Sequence, residues 1–270
     1  MVLVIVLAAL ALLAGLAANK WLRPRLLKED DGKGMAVKDL VGPLLTMTVL
    51  LLSFVLVTAN GSYGKAEVAA DSEARSLDQL VETAGYLPAS SPQRARIQAD
   101  AICYARAVRT QEWPTMAKGS GAGSPAPSVW STDFRTVFGQ LQDKPVFGML
   151  VSADNDRSVA RDERLTQATP SIAAAIFWFL LATLVITVMA LGFCLPRENN
   201  RSQIVTLTVI TVLLTTTLII IKDVDRPFGG IVDVRPTALA EAERQATRDF
   251  LAHHPASRIP CDDKGNRRAV

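Results

Sequence analysis

The sequence predicts an all-α membrane protein in which four transmembrane helices, arranged as two hairpins, flank a helical soluble domain. Three observations carry the prediction. Residues 1–19, 40–64, 165–196 and 202–221 contain no Asp, Glu, Lys, Arg or His. Each stretch is long enough to cross roughly 30 Å of hydrocarbon at about 1.5 Å of rise per helical residue. Within them Leu, Val, Ile, Ala and Thr run nearly unbroken, without the polar stripe that a soluble amphipathic helix would show.

The first stretch lacks the positive leader of a signal peptide and is followed by Lys20, Arg23, Arg25 and Lys28, so it reads as a retained span. With a second span over about 41–60 it forms a hairpin over 1–60. The second span is expected to continue as helix, because Leu77, Leu80, Val81, Ala84 and Leu87 repeat at three- and four-residue spacing. That stripe opens the soluble domain, 61–170. Ser91 as N-cap and Pro92 at the first helical position begin a helix running to about Trp113. The Gly/Ser/Pro-rich run 118–128 is a loop and not a phosphate cradle, since no strand precedes it and no Gly-Lys-Ser/Thr closes it. Residues 129–142 form a further short helix, and an amphipathic one over 156–167 leads into the second hairpin, 171–222, with spans at about 171–195 and 202–221. An extension, 223–270, follows. Pro227 stops the helix, Gly229 and Gly230 permit a turn, residues 231–234 are extended and 238–251 are an amphipathic helix. The final fifteen or so residues read as disordered.

Lys20, Arg23, Arg25, Lys28, Lys33 and Lys38 between the first two spans, and Arg197 and Arg201 between the last two, mark cytoplasmic loops. The soluble domain and the C-terminus are then extracytoplasmic. The net charge of +3 is spread evenly outside the spans and gives no nucleic-acid surface. Of the three cysteines, Cys103 and Cys261 lie on the outer side, where they can pair in an oxidising compartment or stand as two small hydrophobes.

No catalytic constellation, cofactor motif or metal site stands out, so the chain does not read as an enzyme. His253 and His254 are adjacent, without the spacing that puts two imidazoles on one helix face. Asp154-Asn155-Asp156 lacks the Gly and Glu of a calcium loop and reads as a solvated turn. Glu112 is the one carboxylate that invites a catalytic test, and pairing near its helix end, with Trp113 packed beside it, explains it better. In the fourth span Thr208, Thr211 and Thr215 fall on one helical face. They line a pore, or each hydroxyl bonds back to its own helix. The spans carry no charge at mid-depth, which argues against a proton-coupled pump. Lys222, Asp223, Asp225 and Arg226 cluster where the fourth span ends, as a charged ring or as an interfacial anchor.

Asp225-Arg226-Pro227-Phe228-Gly229-Gly230 with Val234 and Pro236, and Tyr104 followed by Glu112-Trp113-Pro114-Thr115-Met116, resemble the bacterial bestrophin-like membrane proteins. The resemblance implies a multi-pass protein of the bacterial plasma membrane that forms a homo-oligomer, a pentamer if the parallel with bestrophin anion channels holds. The aromatic neck pattern and acidic calcium clasp associated with bestrophins are absent from this sequence. Two readings follow. One is a homo-oligomeric, passive channel, for anions on the bestrophin parallel, lined by its second or fourth spans. The other is an envelope scaffold or sensor that binds an envelope protein through the soluble domain. Beyond the lipid bilayer and copies of itself, no partner is named by the residues.

Overall fold

The computed structural model describes residues 1–22, 37–195 and 200–268. Most of the basic connector used for orientation, including Arg23, Arg25, Lys28 and Lys33, lies outside the described residues, as does Arg197. The described chain is helical. Among the described residues, four helices are long and apolar enough to cross a membrane. The chain divides into two compact units, residues 1–61 with 171–225 and residues 62–170 with 226–270.

The membrane unit contains α1 (Val2–Trp21), the first part of α2 (Val37–Ala84), α7 (Ala174–Phe193) and α8 (Asn200–Val224). Helix α1 packs chiefly on α7, and both touch α8. Lipid tails are as apolar as leucine, so helix pairs in a membrane gain by close approach at small residues. Gly15 and Gly192 meet at this crossing: a Cβ on Gly15 would stand 2.8 Å from the Met189 carbonyl oxygen, and one on Gly192 would stand 3.0 Å from Gly15. Asn19 then donates through Nδ2 to the Leu195 carbonyl at 2.9 Å, satisfying both groups at the membrane edge.

The soluble unit contains the rest of α2, then α3 (Pro92–Ala107), a wide π-turn over Val108–Glu112, α4 (Trp113–Ala117), α5 (Pro125–Gly139), α6 (Phe147–Gln167) and α9 (Thr237–Leu251). Ser91 caps α3, its Oγ accepting from the Arg94 N–H at 3.5 Å, with Pro92 first in the helix. Helix α3 is the centre: Ile97, Ala101, Ile102, Cys103, Tyr104 and Ala105 are all fully enclosed, with α5 and α9 packed on it.

Three expectations need correction. The helix from Pro92 does not run uniformly to Trp113. Pro114 has no N–H and its ring would collide with the carbonyl four residues back, and the chain widens to a π-turn in which the Trp113 N–H reaches the Val108 carbonyl. Asp154-Asn155-Asp156 is helix rather than turn, with Asp154 buried against Arg157. The C-terminal extension is neither separate nor disordered at its end. Residues 226–268 belong to the soluble unit, Cys103 and Cys261 are joined by a disulfide, and the Trp130 indole N–H donates to the Gly265 carbonyl at 2.8 Å. The tail looked disordered because it lacks apolar periodicity. Its bonds go to groups far away in sequence, among them Thr110 and Gln111, which both donate to the Lys264 carbonyl.

Candidate functional site

Two regions hold the residues that the sequence singled out. The first is the membrane unit. Thr208 is exposed, whereas Thr211 and Thr215 are buried within it. Each donates its hydroxyl to the carbonyl one turn back, on Ile204, Leu207 and Thr211, at 2.7–2.8 Å. The three therefore do not present one open polar face. The hydroxyls that meet between helices are those of Thr48 and Thr187, 2.7 Å apart and buried.

The second span behaves differently. In its most apolar window only 11% of residues are buried, against 28%, 33% and 33% in the other three spans. Pro43, Met47, Leu50, Phe54, Val57 and Gly61 are all exposed and follow one another at alternating four- and three-residue steps. That is the spacing of a straight apolar seam along a helix. The groups at the end of the fourth span do not share this openness. Asp225 is buried, and its Oδ1 accepts from the Ser171 N–H, the Ser171 hydroxyl and the Ile172 N–H, each at 2.9 Å, fixing the entry to α7. The Lys222 ammonium lies 4.7 Å from the Phe177 ring centroid. These contacts are those of a local anchor.

The second region lies inside the soluble unit, where most of the motif residues converge. The Trp113 indole donates to the Val234 carbonyl at 3.1 Å, and its ring stands edge-on to Phe228 with centroids 5.3 Å apart. Pro227 and Val234 close the intervening loop through a 2.7 Å backbone bond. Gly229 passes so close to the Ala117 backbone that a Cβ there would collide with its carbonyl. Arg226, by contrast, is exposed. The turn of the motif is thus a clasp on α4.

Beneath the clasp is a buried ionic network. Glu73 and Glu112 have fully buried side chains, and Arg164 lies between them, reaching Glu73 through Nε and Glu112 Oε2 through Nη2 at 2.6 Å. Arg161 Nη2 donates to Glu112 Oε1 at 2.7 Å, and the Ser124 N–H adds a bond at 3.1 Å. The Tyr104 hydroxyl donates to Glu73 at 2.5 Å. Two carboxylates face two guanidiniums, so the interior charge cancels. Burial alone would push Glu112 upward, but Arg161 and Arg164 outweigh it and hold its carboxyl below the usual range. Burial, and then the Glu73 charge, push the Tyr104 phenol upward. Arg157, paired with Asp154, lays its guanidinium 4.4 Å over the Tyr104 ring.

Sequence reasoning singled out Tyr104 and Glu112 but missed Glu73, Arg157, Arg161 and Arg164. A signal was available: three arginines at 157, 161 and 164 lie on one face of α6. Glu112, once a candidate catalytic acid, is committed to two arginines.

A family model described as a bestrophin-like domain matches residues 5–239. No curated relative matches the chain. Among solved structures, a point variant of a bacterial bestrophin homologue from Klebsiella pneumoniae is 14% identical, with a TM-score of 0.71 over 92% of this chain and 98% of that one. A second variant of the Klebsiella pneumoniae homologue also gives 14% and 0.71, over 92% and 99%. A structure described only as a membrane protein gives 15% and 0.71, over 93% and 99%. At this identity the likeness shows a shared fold.

Proposed function

Because the chain belongs to the bestrophin-like family, we propose that it works as a homo-oligomeric, passive channel of the bacterial plasma membrane, with anions as its cargo. The observation that carries the reading is the open seam of the second span. Several copies around an axis would turn that seam inward, whereas in a monomer it would face lipid. Lining then falls to Pro43, Met47, Leu50, Phe54 and Val57 rather than to Thr211 and Thr215, which face their own protomer. An apolar seam of this kind would gate by wetting and drying.

The orientation belongs to the same proposal. A disulfide between Cys103 and Cys261 supports a soluble unit and C-terminus on the oxidising, extracytoplasmic side, in agreement with the basic connectors.

Imaging of the particle extracted into nanodiscs tests the assembly. A closed ring, a pentamer on the bestrophin parallel, with chloride flux in liposomes supports the channel. A monomer or simple dimer overturns it and leaves the scaffold reading, in which the disulfide-stapled soluble unit binds an envelope protein.

A further inference from the structure

A second site lies wholly within the soluble unit and does not depend on the channel reading. Helix α3 turns Asp100 inward until the residue is 1% exposed. Its Oδ2 has no hydrogen-bond partner among the described residues. The nearest cation is Arg96 one turn back, 3.9 Å away, on a side chain that is half exposed. Beside this carboxylate opens a cavity of about 670 Å³, walled by Phe250 of α9 and by Ile259 and Pro260 of the tail, with Trp130 and Asp133 of α5 opposite. Asp133 is already taken: Arg267 binds it and lies 5.4 Å over the Trp130 ring. Asp100 therefore keeps a buried oxygen with no donor among the described residues and only the long contact to Arg96. The mouth carries the opposite sign, in the exposed Arg96, Arg258 and Arg268.

A buried carboxylate oxygen without a donor is rare, because it has lost water and gained nothing in return. A ligand that donates to it from inside the cavity would supply the missing bond. The wall is apolar and the mouth is cationic, so the matching ligand carries an ammonium and a carboxylate side by side on an apolar body. Cavities of this size suit small molecules. We infer that this cavity binds a zwitterion of the α-amino-acid class, with its ammonium on Asp100, its carboxylate toward Arg258 and Arg268, and its side chain along Phe250 and Ile259.

Titration supports the assignment. Burial, and then Asp133, raise Asp100 to about 7, against the opposing pull of Arg96 and Arg267. An incoming ammonium favours the ionised carboxylate. Affinity should therefore rise with pH, roughly tenfold between pH 6 and 8 for one group titrating near neutrality.

The test is calorimetry on the full chain in nanodiscs with L-leucine and L-phenylalanine. Two leucine analogues serve as controls, isoamylamine without the carboxylate and 4-methylpentanoate without the ammonium. The expected result is binding of at least one amino acid, stronger at pH 8 than at pH 6, and much weaker binding of either analogue. Asp100→Asn, which keeps the shape, should abolish it. Arg258→Gln, at an exposed position, should weaken it about tenfold. No binding of either amino acid up to about 10 mM, equal binding of isoamylamine, or unchanged binding by Asp100→Asn would each overturn the proposal.

Discussion

Arg164 and Glu112 are joined by a 2.6 Å charge-assisted hydrogen bond between side chains that are both fully buried. The same guanidinium also holds Glu73. One planar cation thus links α6 to α2 and to the π-turn after α3, and it can do so because guanidinium offers donors in several fixed directions.

Removing that cation leaves Glu112 with Arg161 and Glu73 without its ion-pair partner. Arg164→Met should lower stability by about 3–5 kcal/mol, read as a fall in apparent Tm. Arg164→Lys should restore little, since one ammonium cannot reach both carboxylates in the same geometry.

Glu112 and Asp100 respond to pH with opposite signs. The Glu112 carboxyl is held below its ordinary value of 4.5, so its stabilisation is present above that pH and is lost as acid protonates it. Asp100 is raised from 3.8 to about 7, so ionising it costs stability progressively as pH climbs through that window. Asp100→Asn should therefore gain apparent Tm over the unaltered protein at pH 8 and lose that advantage by pH 4. Equal differences at both ends would contradict the burial of an ionising carboxyl.

The disulfide joins residues 158 apart and fixes the tail to α3. Cys103→Ser should cost about 2–5 kcal/mol and make the segment 252–268 accessible to protease. Protein prepared without reductant should resist alkylation at Cys103 and Cys261. A thiol reagent that cannot cross membranes should label them in intact cells only after reduction, and labelling confined to lysed cells would reverse the proposed orientation.

The seam and the threonine stripe make separate forecasts. Phe54→Asp, on the open face of the second span, should break the oligomer or make flux leaky, as judged by particle mass and chloride efflux. Thr211→Val, on a residue turned into its own protomer, should leave assembly and flux within about twofold, because it deletes only a hydroxyl bonded to its own helix.

The sequence alone determined the number of spans and the helical character of what lies between them, since a bilayer demands about twenty uncharged residues in a row. It also brought Cys103, Tyr104, Trp113 and Phe228 to notice as unusual residues. Only the tertiary structure decided what they touch. Glu73 and Arg164 stand 91 residues apart, and Trp130 and Gly265 stand 135 apart, so their pairing depends on how helices cross rather than on local pattern. The same holds for the tail, whose polar composition promised disorder until a disulfide and a set of distant carbonyls gave its groups partners. Local periodicity reports which face of a helix is apolar, but which neighbour covers that face, and which is left open for another copy or a ligand, is settled by long-range packing.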